Sequence, residues 1–446
     1  MTIAVGSIGV LGSALVAPLH AINPSRRMPT GFHLLIAAQF ASALADNALL
    51  IVTMALLQER GMPPWWAPML KFGFTVSYVV LAPFVGPLAD AFPKARLMAW
   101  MNGVKVLGVV ALLAGLQPVA AFAVVGFGAA AYAPAKYGLI TELVPATSLV
   151  AANAWLEVTV VCAALLGAVL GGFLISPWLL DSGVFADVSW AVNSNRLLDP
   201  SPFTVSLLAL VSVYALAGAL NLGVPDSGAR YPASRLNPFA LVREFRAANL
   251  ILWRDRDGGL SLAVTTIFWG LGATLQFAVL RWAADVLKLP LNKAAYLQAA
   301  VAVGVVVGAV GAGRWVPLAV AKNMLGAGVV LGLLLPVIAL SADLFLAIPL
   351  LVLVGVVGGL LVVPLNALLQ HRGCTCLSAG RSIAVQGFNE NASVLAMLGA
   401  YTALLWFDLP VVALLSGFGV AIALAMAALI WRERCRNSSE AAIAAP

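Results

Sequence analysis

The chain has 446 residues, of which 62% are hydrophobic and 10% charged, and its formal net charge is +7. A soluble domain carries roughly a quarter charged residues, so this composition, with its mean hydropathy of +1.00, excludes a soluble enzyme or binding module and describes a polytopic membrane protein. Apolar runs that are continuous rather than short and alternating exclude a spanning β-barrel as well.

A helix needs about 20 mostly apolar residues to cross the hydrocarbon. About twelve such stretches are predicted, centred near residues 45, 78, 107, 129, 163, 213, 273, 303, 329, 357, 391 and 419. Residues 1–30 are read as an N-terminal extension: Ile3 to Ala17 has the length of a secretory apolar region, yet no basic stretch precedes it and Arg26 and Arg27 follow it. Residues 31–224 hold the first six helices, 225–258 a polar linker with Arg230, Arg235, Arg243, Arg246, Arg254 and Arg256, 259–432 the second six helices, and 433–446 a tail. Between helices 5 and 6, residues 176–202 carry Asp181, Asp187, Arg196 and Asp199 and are expected to form a loop. Two sets of six around a central linker suggest two parallel repeats of a secondary transporter. Lys and Arg concentrate in the linker, at Arg26, Arg27, Lys94 and Arg96, and at Arg432, Arg434 and Arg436. By the positive-inside rule both termini are therefore expected in the cytoplasm. Without aromatics interleaved on a soluble domain, these basic loops point to topology and anionic membrane lipids rather than nucleic acid.

Polar residues at membrane depth mark the functional candidates, because an ionisable side chain at a helix centre costs on the order of 2.5–3.5 kcal/mol on insertion scales and normally faces a partner or a watery cavity. In chain order the first is Asp46-Asn47, mid-way along a helix expected from Phe32 to Leu57. Next comes the turn Gly86 to Arg96, in which Gly86, Asp90 and Lys94 form the G-x-x-x-D-x-x-x-[KR] signature that recurs in the major facilitator superfamily. Gly86 permits close helix approach, Asp90 can cap or pair near a helix end, and Lys94 and Arg96 stay in the interface, so the cluster reads as a latch between the halves. Lys105, Lys136, Asn153 and Glu157 are placed toward the cytosol; Lys136 and Glu157 either pair with each other or meet substrate. Gln276 and Arg281 fall toward the outside, and Asn366 is also at membrane depth. Glu390-Asn391 lies at the middle of Ile383 to Leu405. Two acid-amide pairs far apart in sequence suggest a polar chamber within a helical bundle. No metal or cofactor is expected, since Cys374 and Cys376 lack a second pair at zinc spacing. An acyltransferase is disfavoured because none of His20, His33 and His371 has an Asp five residues on.

Several runs resemble the lysophospholipid transporters of Gram-negative bacteria, members of the major facilitator superfamily: Ala38 to Leu50, Gly128 to Gly138, Ala152-Asn153, Phe268 to Gly270, Val363 to Gln370 and Ile383 to Asn391. The likeness holds in register from about residue 34 to 431. It implies an all-α fold of twelve transmembrane helices in two six-helix pseudo-repeats. It further implies a flippase of the bacterial inner membrane, moving lysophosphatidylethanolamine and related lysolipids from outer to inner leaflet. There a separate cytosolic-side acyltransferase would restore the missing chain. The family chamber maps onto Asp46, Lys136 and Glu390, but the family arginine of helix 7 is replaced by Gln276, with Arg281 the nearest substitute, and Arg381 stands where the family prefers a small amide.

On this resemblance Asp46 and Glu390 would hold the ethanolamine ammonium, Lys136 or Arg281 would meet the phosphate, and the acyl tail would trail into lipid, with no ion coupling. The rival reading is a proton-coupled exporter of amphipathic small molecules on the same fold, with a desolvated carboxylate carrying the proton.

Overall fold

In hydrocarbon every backbone N–H and C=O must be satisfied inside the protein, which leaves helices as the economical solution. The structure is a computed structural model describing residues 28–62, 66–180, 202–229, 231, 237–289, 291–407 and 409–444, and its described residues form helices and no strand. Most of the expected extension, the expected loop with Asp181, Asp187, Arg196 and Asp199, and Arg230 and Arg235 of the linker lie outside the described residues.

Twelve long helices are α1 (Thr30–Glu59), α2 (Trp66–Ala91), α3 (Lys94–Leu113), α4 (Pro118–Leu143), α5 (Leu149–Leu174), α6 (Thr204–Leu222), α7 (Arg256–Asp285), α8 (Leu291–Trp315), α9 (Leu325–Leu340), α10 (Leu344–Cys376), α11 (Ala379–Trp406) and α12 (Val411–Ala444). Among the described residues, eleven helices are long and apolar enough to cross a membrane. The exception is α11, which has 28 residues but carries Arg381, Gln386, Asn389, Glu390 and Asn391. A helix this polar survives at membrane depth only when proteins or water face it, and α11 indeed packs between α2, α4 and α7.

Two segments differ from the sequence expectation. The polar linker contains a further helix, Pro238–Arg254, started by the Asn237 side chain accepting from the N–H groups of Phe239 and Ala240. The tail expected from residue 433 is a continuation of α12 to Ala444, and Glu433 binds Arg256 at 3.0 Å and Lys322 at 3.2 Å. Asp255 joins the linker helix to α7, capping α7 through the Gly258 N–H at 2.8 Å. Its hydrogen bonds from Arg372, including Nε to Oδ2 at 3.1 Å, hold its carboxyl below the usual carboxylate range. A depressed folded-state pKa gives stability that is fully present above the unfolded value, about 3.9, and lost only as pH falls through the folded one. The linker thus stays docked at neutral pH.

The two halves meet where α2 faces α11 and α5 faces α8. One apolar core straddles that seam, combining Phe32, Met98 and Leu139 with Val306, Val362 and Ala384. Within the second half, α8 and α10 cross at backbone distance: a Cβ on Gly304 or Gly308 would overlap the carbonyls of Val352 and Val356. Small residues set such crossings because lipid offers no hydrophobic drive between helices. Gly308→Val is therefore expected to cost more than about 3 kcal/mol and to collapse the monodisperse peak in size-exclusion chromatography. Gly172→Ala, where a Cβ meets open space, should leave the peak intact.

Candidate substrate chamber

Asp46 of α1 sits among side chains of its own half. Its carboxylate accepts from Lys105 Nζ at 2.7 Å and from the Tyr214 hydroxyl at 2.7 Å. Lys105 also donates to Ser42 at 2.9 Å, and Ser42 donates to Asn102 at 2.7 Å. Lys105 is 2% exposed and the Asp46 side chain 19%, so the lysine is buried and the pair part-buried, with a second lysine donor taken by Ser42, and a buried charge persists only when paired in this way. The sequence placed Lys105 nearer the cytosol; its four-carbon stem carries the ammonium to Asp46 instead. Asp46 therefore already has a counter-ion within its own half.

Lys136 and Glu157 behave differently. Both are buried, and neither makes a hydrogen bond or an ion pair within 4.0 Å among the described residues. The Lys136 ammonium lies 4.3 Å over the Tyr137 ring and within electrostatic reach of Lys105, Glu157 and Asp46. Across the seam, Glu390 of α11 accepts from Gln386 Nε2 at 2.8 Å, and the same amide donates to Asn366 of α10 at 2.9 Å. Gln386 Oε1 is left buried with no partner. Glu390 and Glu157, from opposite halves, are within electrostatic reach of one another, and Tyr137 feels both. The convergence is thus Lys136, Glu157 and Glu390, with Tyr137 under the lysine and within electrostatic reach of both acids. Asn47 and Asn391 do not join it, because each donates to the carbonyl four residues back in its own helix, Ala43 and Gly387, at 2.8 Å.

At the linker end the halves are closed on each other. Asp90 accepts from the Gly380 N–H at 2.9 Å and from the Ser378 hydroxyl, and a Cβ on Gly86 would lie 3.0 Å from the Arg381 Cα. Lys94 lies 4.0 Å from Asp90 but 2.7 Å from Glu142. Glu142 is also bound by Tyr231 at 2.9 Å; burial raises the Tyr231 hydroxyl's pKa, so the phenol keeps the proton it donates. Arg96 is exposed, with no bond across the halves among the described residues. Asn153 of α5 exchanges a pair of 2.9 Å hydrogen bonds with Gln370 of α10, which makes it a seam residue.

The Major Facilitator Superfamily sequence profile matches residues 35–373. The Lysophospholipid transporter LplT of Salmonella arizonae is 41% identical over 401 residues, covering 90% of this chain and 95% of its own. That of Escherichia coli O1:K1 / APEC is 40% identical over 406 residues, covering 91% and 96%. The chain belongs to the major facilitator superfamily, in the LplT family. Solved structures agree on the fold of this LplT-family member. The human organic anion transporter MFSD10 (TETRAN) superposes with a TM-score of 0.68 at 12% identity, covering 90% of this chain and 100% of that one. The E. coli fucose:proton symporter FucP gives 0.63 at 15%, covering 89% and 97%.

Gln276 lies in α7 of the second half. Arg281 does not substitute for an arginine there, since it is spent on Asp285 one turn away at 3.3 Å, with its side chain 42% exposed. Instead Lys71 of α2, in the other half, donates to Gln276 Oε1 at 3.1 Å. No pattern in the sequence points to this pairing: Lys71 lies near a helix end, where a basic residue reads as an ordinary boundary marker.

The latch carries a prediction of its own. Asp90→Ala would strand the Gly380 N–H, a loss of about 1–3 kcal/mol that loosens the linker end by about 5- to 150-fold. Cys374, half-buried and bonded to Thr141 at 3.2 Å beneath the latch, is a built-in reporter. With Cys162, Cys376 and Cys435 changed to Ser, its maleimide labelling rate should rise by about that factor.

Proposed function

We propose that this protein carries lysophospholipids, sheltering the headgroup in the chamber while the single acyl chain stays in lipid. The observation that carries this reading is a set of two acids and one base left without ion-pair partners at membrane depth: Glu157 and Glu390 from opposite halves, and Lys136 beside them. An ammonium between the two carboxylates and a phosphate on the lysine is the complement of a phosphoethanolamine zwitterion. Gln386 Oε1, an acceptor with no donor, adds to the ammonium side. A polar head cannot cross about 30 Å of hydrocarbon unaided, whereas the tail needs no help, so a carrier of the head alone suffices. The names of the LplT relatives support the cargo class.

In this reading the linker end faces the cytosol of a bacterial inner membrane, as the excess of Lys and Arg there favours. The closed latch then belongs to a state open to the outer leaflet. Headgroups move inward without ion coupling, drawn by reacylation by a separate acyltransferase. The test is a leaflet-resolved assay in proteoliposomes with labelled lysophosphatidylethanolamine. Transport should persist when an uncoupler collapses the proton gradient; abolition by the uncoupler would favour a proton-coupled porter instead.

A further inference from the structure

We propose that the linker helix Pro238–Arg254 lies in the membrane surface at its end of the bundle and binds anionic phospholipid headgroups. Its inner stripe, Leu241, Ala248 and Leu252, is buried against α2, α7 and α11. Its outer stripe follows the three-and-four spacing of one helical face and is apolar: Phe239 is 87% exposed, Leu250 49%, Val242 39% and Trp253 38%. Interleaved with these are Arg243, Arg246 and Arg254, exposed and without an ion pair or hydrogen bond among the described residues.

Water disfavours so many large apolar groups on one short face, and a helix buried in hydrocarbon would not carry three unpaired guanidiniums. The boundary between the two suits both. An amphipathic helix there sinks its rings and aliphatic groups among acyl chains while the arginines reach phosphates. Position argues for lipid over a protein partner: only Asp255 separates the helix from the membrane-spanning α7, so its C-terminal end is tethered at the hydrocarbon edge. One flank of it, where the stripes meet, contacts the chamber helix, since Asn389, adjacent to Glu390, donates to Asn249 at 2.8 Å and accepts from Trp253 Nε1 at 3.1 Å. A lipid-held linker therefore steadies α11 directly.

The test places a bimane on Leu250→Cys, in full-length protein with the four native cysteines changed to Ser. The protein is reconstituted without other proteins into nanodiscs containing brominated phosphatidylglycerol or brominated phosphatidylcholine. Quenching by the brominated lipids is expected, with phosphatidylglycerol enriched by about fivefold or more and the preference fading as salt rises. Arg243→Gln, Arg246→Gln and Arg254→Gln together should abolish the preference and keep the contact. If iodide in the water quenches the label and brominated lipid does not, the face is wet and the proposal fails. It fails equally if the unmodified arginines show no preference for the anionic lipid at any salt, a readout that holds even were the triple variant not to fold.

Discussion

Glu390→Gln is expected to lower lysophosphatidylethanolamine transport by about 10- to 100-fold at nearly wild-type expression. The magnitude follows from losing one charge-assisted contact, about 1.5–3 kcal/mol. Expression should hold because glutamine keeps the Gln386 hydrogen bond at that site and removes a buried charge rather than stranding one. Glu157→Gln should act in the same direction, and the two together should fall short of additive, as neighbours that share one ligand do. The diagnostic is the headgroup. Lysophosphatidylglycerol has no ammonium, so its transport should suffer less from Glu390→Gln, whereas Lys136→Gln should depress both substrates. Equal losses for the two lipids in the Glu390 variant would remove the ammonium site from that carboxylate.

The second large effect is on stability. Lys105→Met leaves the part-buried Asp46 carboxylate, 19% exposed, with a single phenol donor, Tyr214, and truncating one partner of such an ion pair costs about 3 kcal/mol, the low end of the range for fully buried pairs. A fall in melting temperature of the purified protein in detergent should report it. Asp46→Asn should cost less, since Lys105 keeps its bond to Ser42. The double variant Asp46→Asn with Lys105→Met should recover most of the loss, because no charge is then stranded. A double variant no more stable than Lys105→Met alone would show that the lysine matters through packing against Tyr132 and Tyr214, whose rings its ammonium overlooks at 5.3 and 5.6 Å.

Apolar runs bounded by turn residues and charge were sufficient to place eleven of the helices, and α11 stood out through its polar residues, Glu390-Asn391 above all. Side-chain reach was not legible. Depth counted along a helix locates a Cα, but Lys105 and Lys71 act at the ends of four-carbon stems, so one was assigned to the wrong level and the other overlooked. The linker helix was legible after all: Leu241, Phe245, Ala248 and Leu252 recur at helical spacing, a period masked by the surrounding arginines. Which acids meet across the seam depends on how two six-helix bodies dock, and no local pattern in either half encodes that.

Glu157 and Glu390 stand on opposite halves within electrostatic reach of one another, with the Lys136 ammonium near Glu157 alone of the two, and like charges held close in a medium poorer than water repel. On the proposed reading an unloaded carrier would meet an electrostatic barrier whenever the two halves pressed together around an empty centre. A zwitterionic passenger supplies the missing positive charge and removes that barrier. On the proposed reading the lipid would be part of the chemistry that permits its own crossing, and the two residues assigned to recognise it would also suppress futile cycling without cargo.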